Sequence, residues 1–191
     1  MQVKDKLYIN MNARVKELMN KMTAEEMRQR LAEYMEADVN LMPRLVAVQV
    51  RLSSEPRARN RYEVVLVDED GGESVVKFRD RCSRLMYIYA LLHPKGFQRR
   101  AAASHDYREL RQLFSQLYFT GSEALIRTIE STGYDHFISH YVAQSRKAVR
   151  ESSPLASPFA IDYPQSHNGK LLIPFVAQGG TVILDPSLSK F

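Results

Sequence analysis

A row of cationic, polar and small side chains at helical spacing is the part of this sequence best suited to a binding chemistry. The row lies on one side of a helix predicted around residues 137–150, and it consists of His136, His140, Ala143, Lys147 and Arg150. The other side of the helix carries Phe137, Ile138, Tyr141, Val142, Ser145, Ala148 and Val149. A helix that buries one side and offers small, polar and cationic groups on the other can lie in a DNA major groove.

Individual side chains of this helix suit different contacts with DNA. His140, Lys147 and Arg150 can each bind a phosphate or a guanine edge, and Gln144 beside them can reach an adenine. Arg146 lies to the side of the row, where a backbone phosphate is its expected partner. The alternative is a solvated helix face whose last turn is basic because cations stabilise the carboxyl end of a helix.

The sequence offers little support for catalysis or metal binding. His136 and His140 have the four-residue spacing of metal ligands, but no third ligand is evident and Lys147 would repel a cation. No glycine-rich phosphate loop, nucleophile elbow or pair of catalytic carboxylates is present. Cys82 begins an apolar helical pattern and is predicted to be a packing residue. We therefore predict a protein that is not an enzyme and needs no metal or cofactor.

The basic charge of the chain is concentrated rather than spread. The net charge is +5, and residues 79–111 hold eight cations against three acids. Arg108 and Arg111 lie in this segment near the start of a predicted helix. In helix-turn-helix proteins the corresponding helix crosses the phosphate backbone, so both are candidate phosphate contacts. Their alternative is a solvated surface with local pairing to Asp106 and Glu109.

Two short helices with methionine stripes are predicted before residue 43. The second opens on a capping box, Thr23-Ala24-Glu25-Glu26, and Pro43 ends the pattern. Helices this short do not fold alone, so they must pack on the rest of the protein or on a second copy. The predicted division is a helical appendage over residues 1–43, expected to form a homodimer contact, and a larger domain over 44–191.

The larger domain alternates strand and helix patterns, which predicts the α+β class. Asp80 and the Asp106 capping box are expected to begin helices, and Asn168-Gly169 is a strong hairpin turn. The predicted strands are 44–52, 62–67, 74–78, 159–163, 170–174 and 181–184. The predicted helices are 81–92, 106–118, a short one capped by Ser122 and closed by Gly133, and 137–150.

From Tyr62 to Leu184 this order resembles the winged-helix output domain of bacterial response regulators. The matching motifs are Leu91-Leu92-His93-Pro94-Lys95-Gly96 at the end of the first helix, and Asp106, Arg108 and Leu110 at the second. The resemblance implies a winged helix-turn-helix-like core preceded by a small antiparallel sheet and the N-terminal helix pair. It also implies that the helix 137–150 reads DNA and that the hairpin 159–174 is the wing, with Asn168 and Lys170 touching DNA.

The expected function is that of a bacterial transcriptional regulator that binds double-stranded DNA as a dimer. The chain has one cysteine, no visible signal peptide and no apolar run long enough to span a bilayer, so a cytoplasmic location is expected. The alternative is a protein-interaction module of winged-helix shape that does not bind nucleic acid.

Overall fold

The chain divides into two compact units, Met1–Met42 and Pro43–Phe191. The computed structural model of the protein describes Glu26 and residues 43–53, 61–98, 104–118, 120–162 and 170–188. Glu26 is helical and exposed, whereas the rest of the two predicted N-terminal helices lies outside the described residues. The fold that follows is therefore that of the second unit.

A four-stranded sheet forms one side of this unit. Its strands are β1 (Leu45–Leu52), β2 (Tyr62–Asp68), β3 (Glu73–Val75) and β6 (Thr181–Leu184), in the spatial order β3-β2-β1-β6. The neighbours β1 and β2 are antiparallel, as are β2 and β3, but β6 runs parallel to β1. The predicted strands 44–52, 62–67 and 181–184 are thus confirmed, and the third strand is shorter than predicted.

One face of the sheet packs into the core. Val48 and Val50 on β1 lie opposite Leu66 and Val64 on β2, and all four are at most 1% exposed. Successive side chains on a strand point to opposite faces, so these residues share one face. They belong to the hydrophobic core that the helices complete.

The first long helix, α1 (Arg81–Leu92), is the centre of that core. The Asp80 carboxylate accepts a hydrogen bond from the backbone N of Ser83 at 2.8 Å, which confirms the predicted cap. From Leu85 to Leu91 every residue is buried. A helix that is apolar on all sides is one surrounded by other elements.

Helices α2 (Ser104–Tyr118) and α3 (Glu123–Thr132) follow, and each begins differently from its prediction. Helix α2 is already helical at Ser104, two residues before the predicted cap Asp106. Ser122 precedes α3, but its hydroxyl makes no cap bond and instead accepts from Arg111 Nε at 3.2 Å. Gly133, with φ of 79°, ends α3 as predicted.

Helix α4 (Tyr134–Ser152) contains the predicted recognition segment and extends beyond it at both ends. It packs against α1 and α3. Its buried side consists of Phe137, Ile138, Val142, Ser145, Ala148 and Val149. The apolar side predicted from sequence is the side that enters the core, with Tyr141 only half-buried.

The chain after α4 differs from the predicted hairpin. Phe159, the first residue of the predicted strand 159–163, instead ends a 3-10 turn, Ser157–Phe159, and Phe159, Ala160 and Ile161 are all buried instead of alternating. Strand β5 (Lys170–Leu171) pairs with β4 (Phe97–Gln98), and among the described residues of the predicted hairpin Asp162 and Leu172 form an antiparallel bridge. A short helix, α5 (Pro174–Ala177), then leads to β6.

These elements confirm the mixed α+β class. No helix within the described residues has the length and apolar content needed to cross a membrane.

Two buried serines give a test of hydrogen-bond satisfaction in the core. Ser145 and Ser83 are both 0% exposed, but the Ser83 hydroxyl donates to the Asp80 carbonyl at 3.0 Å, while the Ser145 hydroxyl has no hydrogen-bond partner among the described residues. Burying an unpaired hydroxyl costs about 1–3 kcal/mol. We expect Ser145→Ala to leave the free energy of unfolding unchanged or raise it by about 1 kcal/mol.

Denaturant unfolding measures this effect, and Ser83→Ala is the matched control. Removing the bonded Ser83 hydroxyl is expected to lower the free energy of unfolding by about 1 kcal/mol. Equal losses in both variants would show that the Ser145 hydroxyl has a partner after all.

Candidate nucleic-acid interface

The exposed side of α4 carries the row of side chains that the sequence singled out. His136, His140, Ala143, Lys147 and Arg150 are all exposed. The residues on the opposite side of the helix, such as Phe137 and Val149, are fully buried in the core. Burial of one side fixes the orientation of the helix, so the row faces solvent as a unit.

The charge of this row is only partly compensated. Lys147 Nζ lies 3.7 Å from Glu151 Oε1, and the two side chains are 69% and 65% exposed. An exposed pair of this kind is weak, so Lys147 remains available to another anion. Arg150 has no ion-pair partner within the part of the chain that the structure describes.

The two histidines at the start of the row stack on each other. The ring centroids of His136 and His140 are 6.2 Å apart with an angle of 17° between the planes, and Tyr141 meets His140 edge-on at 4.9 Å. No group of three potential metal ligands occurs among the described residues. The pair therefore offers two aromatic nitrogen-bearing rings to solvent.

Arg146 makes contacts within the protein that the sequence did not predict. Its Nε donates to the carbonyl of Ile161 at 2.8 Å, and its Nη2 donates to Asp162 Oδ1 at 3.1 Å. The side chain is 28% exposed. Two directed bonds from one guanidinium tie the chain after the 3-10 turn to α4, so Arg146 positions that segment.

The other residues predicted to contact DNA do not all lie on the exposed side of α4. Gln144 is half-buried on α4 itself, and Lys170 is half-buried in β5 opposite Gln98. Asn168 lies outside the described residues. The structure thus gathers His140, Ala143, Lys147 and Arg150 on one exposed helix side.

Arg108 and Arg111 are exposed on α2, a different helix from the row. The Arg111 guanidinium lies 5.9 Å from the centre of the Tyr107 ring and also donates to Ser122. Part of its hydrogen-bonding capacity is therefore used in holding α2 to the start of α3. Arg108 is the more available of the two.

One cation near α4 was missed by sequence reasoning. Lys77 lines a cleft of about 430 Å³ together with Ser74 and Val75 and, from α4, Ala148, Glu151 and Ser152. Lys77 falls in a segment whose net charge is negative, and the two sides of the cleft are far apart in sequence. No local signal could have placed it beside the last turn of α4.

Cys82 is shielded chemically as well as sterically. Burial of the thiol, reinforced by the nearby Asp80 carboxylate, raises the pKa of Cys82 to about 12. Because the thiolate is the reactive form, we expect alkylation of native protein at pH 8 to be at least about a hundredfold slower than for a free thiol. Mass spectrometry after timed exposure to iodoacetamide measures this rate.

The control for this prediction places a second thiol on the exposed side of α4. Ala143→Cys should react within the time in which Cys82 does not, and both thiols should react once denaturant unfolds the chain. Rapid native labelling of Cys82 would contradict the assignment of a packing role.

Comparison with known proteins identifies no relative. No family model matches the chain, and searches of the curated proteins and of the solved structures found no match.

Proposed function

We propose that this protein binds double-stranded DNA through the exposed side of α4 and acts as a transcriptional regulator. The observation that carries the proposal is the geometry of α4, whose opposite side is anchored in the core. His136, His140, Ala143, Lys147 and Arg150 are exposed along one line of this helix.

The dimensions and residue types of α4 support this function. An α-helix with its side chains is about 10–12 Å across and the major groove is about 12 Å wide, so one face of the 19-residue α4 can enter the groove. Ala143 in the middle of the row allows close approach, and Lys147 and Arg150 follow where cations can reach phosphates. The carboxylate of Glu151 repels the DNA phosphates and so limits the affinity for DNA.

We further propose a winged-helix-like arrangement in which the segment 163–169 assists α4. Asp162 and Leu172, which lie on either side of this segment in the sequence, are bridged by two backbone hydrogen bonds. Arg146 attaches Asp162 to α4. Those contacts support the proposal that Asn168 assists α4 in contacting DNA.

Titration of a labelled random-sequence duplex at low salt tests the proposal. The affinity is expected to fall steeply as salt rises, since bound cations release counterions from DNA. Absence of binding at low salt would refute the proposal. Selection of bound sequences from random duplexes would then show whether α4 also reads bases.

A second candidate function, protein interaction without nucleic acid, is favoured by the exposed apolar residues of the two outer strands. Val75 on β3 is 43% exposed and Ile183 on β6 is 47% exposed. Co-purification of a stable partner, with no effect of DNA on that complex, would favour this candidate.

A further inference from the structure

Strand β3 has an open edge. Among the described residues it pairs with β2 on one side only. The Asp68 N donates to the Gly72 carbonyl at 3.0 Å and the Val76 N donates to the Val64 carbonyl at 2.9 Å, so residues 72, 74 and 76 direct their backbone groups at β2. In an antiparallel ladder alternate residues bond to opposite sides. The backbone N–H and C=O of Val75 therefore face the open edge.

The sequence of this edge is complementary to itself. If a second copy of β3 pairs antiparallel with the first about Val75, then Glu73 of each copy lies opposite Lys77 of the other. These three residues alternate with Ser74 and Val76, so their side chains share one face of the sheet. Opposite charges on directly paired residues stabilise an antiparallel pair, and like charges destabilise it.

Two carboxylates on the face of the sheet that carries Glu73 share one guanidinium. Arg51 Nε binds Glu63 Oε1 at 2.7 Å, and Arg51 Nη1 and Nη2 bind the two carboxylate oxygens of Glu73, each at 2.7 Å. The bonds from Arg51 hold the pKa of Glu73 below its usual value. With Lys77 of the same chain, this face carries two cations and two carboxylates, and in the proposed pair each Glu73 lies opposite the Lys77 of the other copy.

The space beside β3 and the exposure of its side chains are compatible with this pairing. Val75 is 43% exposed although it is apolar, and Lys77 is exposed. The cleft of about 430 Å³ borders Ser74, Val75 and Lys77.

We propose that the open edge of β3 is the contact between two copies of this chain, which join their sheets antiparallel about Val75. Each copy contributes its Glu73 to the Lys77 of the other, and the two Val75 residues meet on the twofold axis. The last turn of α4 borders the same cleft. The dimer therefore sets the spacing between the two α4 helices, independently of whether those helices bind DNA.

Charge reversal tests this interface in the full-length protein by sedimentation equilibrium over a range of concentrations. In the Lys77→Glu variant, Glu73 of each copy lies opposite a glutamate of the other copy. The two like-charged pairs should raise the dissociation constant of the dimer about tenfold. The double variant Glu73→Lys/Lys77→Glu restores opposite charges and should recover most of the association. Lys95→Glu reverses an exposed lysine at the other end of α1 and should have no effect.

Cross-linking gives a second measurement that does not depend on the charges. In a hydrogen-bonded antiparallel pair the Cα atoms are about 5.5 Å apart, within the range of a disulfide. Val75→Cys should form a covalent dimer under mild oxidation, whereas Ile183→Cys on the opposite outer strand should form it much more slowly. A monomer at all concentrations, a dimer unaffected by Lys77→Glu, or equal cross-linking of both cysteine variants would overturn the proposal.

Discussion

The double substitution Lys147→Ala/Arg150→Ala is expected to lower the affinity for duplex DNA by about tenfold or more at low salt. Each cation that binds a phosphate releases a condensed counterion, so the slope of log K against log salt should decrease by about 1.8 when both are removed. Both side chains are exposed and neither holds α4 to the core. The thermal midpoint of the variant should therefore stay close to that of the parent protein.

Fluorescence anisotropy with a labelled duplex at several salt concentrations measures both quantities. The matched control is Arg44→Ala/Lys95→Ala, which also removes two exposed cations but from the start of β1 and the turn after α1. If the control weakens binding as much as the α4 variant does, the affinity comes from net charge rather than from this helix. An unchanged affinity for the α4 variant would remove α4 from the interface.

The substitution Gly96→Ala is expected to lower the free energy of unfolding by about 2–4 kcal/mol. Gly96 has φ of +77°, and a Cβ atom there would lie 2.8 Å from the Leu171 carbonyl oxygen and 3.1 Å from Lys170 Cβ. The left-handed backbone alone costs about 1–2 kcal/mol for a residue other than glycine. The approach of β5 adds to that cost because a strand backbone cannot easily move away.

Gly179→Ala separates the two contributions. Gly179 has φ of +85° with no atom within 4 Å of its Cβ position, and like Gly96 it donates its N–H to the carbonyl three residues earlier. The Gly179→Ala variant should lose only the stability that the left-handed backbone costs. The free energies of unfolding of the two variants, measured by chemical denaturation, should therefore differ by about 2 kcal/mol. Equal losses would mean that the pairing of β4 with β5 is loose enough to accept a methyl group.

The features that could be predicted from the sequence are those set by neighbouring residues. Asp80 begins α1 because its carboxylate bonds to the backbone three residues later. Gly71 and Gly72 form the turn between β2 and β3, where the Asp68 side chain accepts from the backbone N of Gly72 and Asp70. The two sides of α4 follow from helical spacing, which identifies the residues that must be buried. In each case the deciding contact lies within one turn of the chain.

The features that could not be predicted depend on contacts between distant segments. The predicted strand at 159–163 begins instead with a buried turn, and Tyr87 of α1 donates its hydroxyl to the Phe159 carbonyl there at 2.9 Å. Lys170 pairs with Gln98, a residue far earlier in the chain. Arg146 looks like a free cation in the sequence because Ile161 and Asp162, its partners, are brought to it only by the fold.

The parallel pairing of β6 with β1 has a consequence for how the chain folds. Strand β1 precedes all four long helices and β6 follows them, so this pair closes a loop that contains nearly the whole unit. Contacts between residues far apart in sequence slow folding because the entropy of loop closure is lost before the contact is gained. During synthesis the edge of β1 that pairs with β6 stays unpaired until β6 has left the ribosome. We expect β6 to be added late, and the growing chain to be most prone to aggregation just before that step.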